Sequence, residues 1–143
     1  MTTVKRYGLF VIIATLILSC HERDKKLEIE SALKTYDHLI WTMNADSIAL
    51  LYTVDGQLGE IARGRDSIRR FLSTFTNVKV LSVHSTSEKI VINKDTAIQS
   101  GRFNQTALIN NKDTARPKGT YEAIWVWTKG EGWKIKRMTT TPD

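Results

Sequence analysis

Cysteine is nearly absent from this chain: Cys20 is the only one in 143 residues. A lone thiol has no intramolecular partner, so a folded domain must stand on packing without disulfides, which about 120 residues of helix and sheet can do. The three histidines, His21, His38 and His84, are far apart, and no carboxylate falls beside any of them at ligand spacing. No metal site is expected, and no cofactor either. There is no G-x-G-x-x-G and hence no sign of a nucleotide loop. Basic residues outnumber acidic ones, 21 to 15, but never form a run of five, and no nucleic-acid motif accompanies them. Nucleic acid is therefore not an expected partner. No segment repeats at a period of 20 to 50 residues, and no tract is low in complexity.

Long apolar runs are also missing except at the start. Lys5 and Arg6 precede an apolar stretch, Leu9 to Leu18, which is short for a membrane span of about 20 residues. This is the layout of a targeting segment. Ile17, Leu18, Ser19 and Cys20 resemble a lipobox, the motif at which bacterial lipoproteins are cut and acylated on the cysteine. Acylation would explain both the presence and the position of the only thiol. The expected organisation is a signal peptide over 1–19, a tether over 20–26 beginning at lipidated Cys20, and one domain over 27–143. The protein is then exported to the cell envelope and held to a membrane by its lipid. Loss of Lys5 and Arg6 with the leader leaves 19 basic and 15 acidic residues, a modest excess that favours contact with anionic headgroups beside the anchor.

Within the domain, Ile29, Leu33, Tyr36, Ile40 and Met43 recur at spacings of four and three and mark one face of a helix. Lys34, Asp37, His38 and Thr42 lie away from that stripe, so His38 reads as a solvated residue. Asn44 or Asp46 caps a short second helix with Ile48, Leu51 and Tyr52 on one side, and Asp55 and Gly56 supply a turn. Gly64, Arg65 and Asp66 open a third helix bearing Ile68, Phe71, Leu72 and Phe75.

Everything beyond reads as sheet. Val78 to Val83 alternates, Lys89 to Asn93 is β-branched, and Asn93 to Asp95 turns the chain. Thr96 to Leu108 is a long strand in which Gly101 marks a bulge or bend. Asn110 to Lys118 is polar and reads as a flexible loop. In the closing hairpin, Tyr121, Ala123, Trp125 and Trp127 share a face, Lys129 to Gly132 turn, and Trp133, Ile135 and Arg137 share a face on the return.

The order of the helix bearing Tyr36, ADSIALLYTVDG, GRDSIRRF and GTYEAIWVWTKGEGWKIKRM resembles the cone-shaped superfamily of nuclear transport factor 2, ketosteroid isomerase and the SnoaL-type cyclases. The resemblance implies an α+β fold of the cystatin-like, nuclear transport factor 2-like kind: a strongly curved, mostly antiparallel sheet wrapped around N-terminal helices. It implies a cavity in the cone, with Tyr36, Tyr52, Phe71, Phe75, Phe103, Tyr121, Trp125 and Trp127 as its candidate lining. It also places Tyr36 where the isomerase has its oxyanion-binding Tyr, and Glu60 where it has its general base. The isomerase's second oxyanion donor falls on Ala123, which donates nothing. The leading expectation is thus a non-catalytic domain that binds a small apolar or amphipathic molecule. The alternatives are an isomerase, cyclase or hydrolase using Glu60 as base and Tyr36 as donor, and a homodimerising interaction module without a ligand.

The anchor is checked by replacing Cys20 with Ser in the full-length protein: the expected outcome is loss of acyl-chain labelling and release from the membrane fraction.

Overall fold

A computed structural model describes the backbone of residues 7–143 and the side chains from Glu22 onward. The basic start of the expected leader and the side chain of Cys20 lie outside the described residues. Helix α1 (Tyr7–Thr42) includes the segment expected as a tether. Among the described residues no helix is long and apolar enough to cross a membrane.

The apolar stripe of α1 is buried as its spacing requires, with Ile29 and Leu33 in the core and Tyr36 and Ile40 packed beside them. Met43, in the left-handed region at φ 50°, ends the helix. Asn44 then caps α2 (Ala45–Leu50), accepting from the Ser47 N–H at 2.9 Å. Asp46 is left to pair with Arg69 of α3 (Arg65–Leu72) at 3.0 Å. Helices α2 and α3 bury Ile48, Ala49, Ile68 and Leu72 in the same core.

Between them the expectation of a helical Tyr52 followed by a turn at Asp55 and Gly56 is corrected. Tyr52 opens strand β1 (Tyr52–Leu58), and Asp55 and Gly56 lie inside it. The cause is long-range: β1 pairs in parallel with the last strand, β7 (Gly132–Pro142), and Asp55 forms an ion pair with Lys136 there. Turn preference is a local bias that such pairing overrides. A two-residue strand β2 (Ala62–Arg63) then folds back on β1.

Two long strands follow, β3 (Val78–Asn93) and β4 (Thr96–Ile109), paired antiparallel over their whole length. Their register slips by one residue at Leu81 and again at Glu88. Extra residues of this kind bend a strand and increase its twist. The second lies against Gly101, where a Cβ would overlap the Thr86 carbonyl. Only glycine permits that approach, so Gly101 marks the bend although the inserted residue is on β3.

The expected loop over 110–118 is partly strand. Asn110 and Asn111 both turn at positive φ, which asparagine tolerates, and β5 (Asp113–Ala115) returns along β4. Strands β6 (Lys118–Thr128) and β7 form the closing hairpin. Its register slips at Lys136, so the inward phase of β7 passes from Ile135 to Met138, and Arg137 is exposed rather than sharing a face with Trp133. The sheet order is β2-β1-β7-β6-β4-β3, with β5 beside β4. Its concave face closes over α1 and meets Ile29 and Leu33 with Trp125, Trp133, Ile135 and Met138.

Gly101→Ala is expected to lose about 3 kcal/mol of stability, because the clash is with backbone that cannot give way. Urea unfolding monitored by circular dichroism measures it.

Candidate functional site

The interior is divided. At one end Trp125 is fully buried and its Nε1 donates to Gln99 Oε1 at 2.9 Å. Trp133 fills the space beside it and donates to Glu28 of α1 at 3.0 Å. At the other end packing stops short and leaves a cavity of about 270 Å³. Its walls come from one face of α1 (Leu33, Tyr36, Asp37, Ile40), from β3 (Val83, Ser85), from β4 (Phe103, Gln105), and from Tyr121 and Met138 of the closing hairpin. The exposed Pro117, Thr140 and Pro142 stand at its rim.

Of the aromatic residues proposed from the sequence, Tyr36, Phe103 and Tyr121 line this cavity. Tyr52 and Trp125 are core residues outside its lining. Phe71 and Phe75 pair edge-to-face at 5.1 Å on the far end of α3, with Phe75 exposed. Trp127 is 43% exposed and packs edge-to-face on Trp133 at the opposite end of the sheet. Glu60 is exposed and borders an open groove on another surface, with Glu88, Glu122 and Arg137. The structure does not bring Glu60 to the cavity that holds Tyr36. Ala123, fully buried, offers no donor.

The polar residue of the wall that the apolar stripe leaves out is Asp37. It is half-buried and lines the cavity, where its two oxygens accept from the Ser85 N–H at 2.8 Å and the Ser85 hydroxyl at 2.7 Å. Its signal was present: Leu33, Tyr36, Asp37 and Ile40 stand at i, i+3, i+4 and i+7, one helical face. A sheet that wraps a helix buries a wider arc than a flat one.

Three phenols set the electrostatics. The Tyr52 hydroxyl faces Tyr36 deep in the interior but closes no hydrogen bond of normal geometry. Burial pushes both phenols up, Tyr52 furthest, and the charge of Asp37 adds to the effect at Tyr36. Tyr121 is pushed up to about 12, first by burial and then by the negative charges of Asp37, Glu88 and Glu30, against a lowering interaction with Ser87. Its hydroxyl, like that of Tyr52, has no hydrogen-bond partner of normal geometry. All three phenols are therefore protonated at neutral pH. Among the described residues no three His, Cys, Asp or Glu side chains cluster as metal ligands would.

A cone of this construction with a small cavity beneath the sheet is the SnoaL-like arrangement, and the family profile of the SnoaL-like domain matches residues 21–139. The chain belongs to that family. Solved structures agree on the fold. A Mycobacterium tuberculosis protein of unknown function superposes with a TM-score of 0.77 at 18% identity, over 87% of this chain and 75% of that one. A nuclear transport factor 2-like superfamily protein from Salmonella enterica gives 0.72 at 16% identity, over 85% and 92%. A ketosteroid isomerase-like protein from Erwinia carotovora gives 0.70 at 17%, over 80% and 92%. No functionally curated protein matches the sequence.

The raised phenols fix a pH dependence. A phenol that holds its proton more tightly when folded contributes stability that is intact below its ordinary value of 10.0 and is lost as pH rises towards about 12. The melting temperature is expected to fall between pH 10 and 12, and Tyr121→Phe is expected to flatten that fall. Thermal scans across the interval check it.

Proposed function

We propose that this chain is a lipid-anchored envelope protein whose SnoaL-like domain binds a small apolar or amphipathic molecule in the cone cavity without transforming it. The carrying observation is the cavity itself: about 270 Å³ with a largely apolar lining, and Tyr36, Asp37 and Tyr121 in its wall. A concave apolar space with a few polar groups is the usual composition of a small-molecule site. At interior packing density the space suits a ligand body of about a dozen non-hydrogen atoms.

A binding role is favoured over the isomerase, cyclase or hydrolase alternative by the groups around the void. Proton abstraction needs a base within hydrogen-bond reach of the substrate. The base that the resemblance implies, Glu60, opens onto another surface. The apolar wall can hold a ligand without any such partner.

A second reading, pairing of two copies, has its own observation. Val91, Ile98 and Ile124 stand in one row across β3, β4 and β6 on the convex face, with Val91 50% and Ile98 48% exposed. An apolar row on a sheet face is a common contact between subunits.

Native mass spectrometry of the purified protein tests both readings. The expected spectrum shows an added mass of a small molecule that disappears in Val83→Trp, whose indole fills the cavity. Absence of any added mass, with the protein wholly dimeric, favours the interaction module instead.

A further inference from the structure

We infer that the ligand held in this cavity is an organic cation, an amine carried on an apolar body of about a dozen non-hydrogen atoms; the inference rests on the binding reading above. It starts from an imbalance of charge. Asp37 places a carboxylate in the cavity wall, and among the described residues it takes part in no ion pair. Among the described residues its hydrogen bonds come from the neutral groups of Ser85. Among the described residues no Lys, Arg or His lines the cavity. Arg116 and Lys118 flank Pro117 near the rim, but both are exposed and neither belongs to the wall.

The surrounding groups add to the negative potential instead of opposing it. The charge of Asp37 is felt at both Tyr36 and Tyr121, and those of Glu30 and Glu88 at Tyr121. Three aromatic rings, Tyr36, Phe103 and Tyr121, share the wall with the carboxylate. Aromatic faces attract cations through the ring quadrupole, more strongly where water is excluded. An ammonium would donate to Asp37 while supplying the missing positive charge. An alcohol would leave that charge unmatched. A carboxylate ligand would meet a like charge with no counter-ion in reach.

The test uses full-length protein in phosphatidylcholine vesicles and three matched probes, 2-phenylethylamine, 2-phenylethanol and phenylacetate, titrated by calorimetry against protein-free vesicles. The amine is expected to bind about tenfold more tightly than the alcohol, with phenylacetate weakest. Asp37→Asn is expected to bring the amine and alcohol affinities to within about twofold of each other. Ser85→Ala, which keeps the charge and removes one of its donors, is expected to strengthen the preference for the amine. Equal binding of amine and alcohol, tighter binding of phenylacetate, or an undiminished preference in Asp37→Asn overturns the charge selection alone. Should Asp37→Asn fail to fold, an unchanged or weakened preference in Ser85→Ala overturns it. Failure of all three probes to bind overturns the cavity reading together with it.

Discussion

The curl of the β3–β4 ribbon around α1 is the constraint on which the rest of the molecule depends. A flat sheet would cover one side of the helix, whereas this one reaches round to Asp37 as well as to Leu33 and Ile29. The bend is made locally, by Glu88 inserted against Gly101, and it is held at a distance by the two bonds from Ser85 to Asp37. Further along the helix Glu28 holds the Trp133 indole and Lys25 donates to the Lys94 carbonyl at the β3–β4 turn, so the helix is tied to the sheet at three levels. The cavity is what remains where the large side chains run out between those ties.

That arrangement separates structural polarity from available polarity. The buried Gln99 answers the Trp125 indole, and Arg65 spends its Nε on the Tyr52 carbonyl and its terminal nitrogen on Glu131. Arg102 is taken by Asp143 at 2.9 Å. These groups hold segments together and stand outside the cavity wall, although Gln99 Nε2 has no partner of normal geometry. Tyr36, Asp37 and Tyr121 differ, because they line the open space.

Much of the fold was legible in the sequence because its signals are periodic. The stripe from Ile29 to Ile40, the alternation in β6, and glycine at a bend all report local geometry. What misled were residues whose role is fixed by a distant partner. Asp55 and Gly56 look like a turn, and only the parallel pairing with β7 explains why they are extended. Arg137 and Met138 exchange faces through a one-residue slip at Lys136, which leaves no trace in composition. The site was less legible than the fold for the same reason. Tyr36, Phe103 and Tyr121 were found as aromatics on inward faces. Trp127 continued the same alternation, but it lies past the end of the core and is exposed. Asp37 carried the helical spacing of a lining residue but, being charged, was not read as part of the stripe.

The position of β7 in the sheet has a consequence for how the chain reaches its native state. Its neighbours are β1, from the N-terminal half, and β6, so the final strand is an interior member of the sheet. Until those last residues leave the ribosome, β1 and the large antiparallel ribbon have nothing between them, and the core lacks Trp133, Ile135 and Met138. A polypeptide that completes its core only with β7 stays slack until that strand has been made, since non-local pairing yields no stability before its loop is closed.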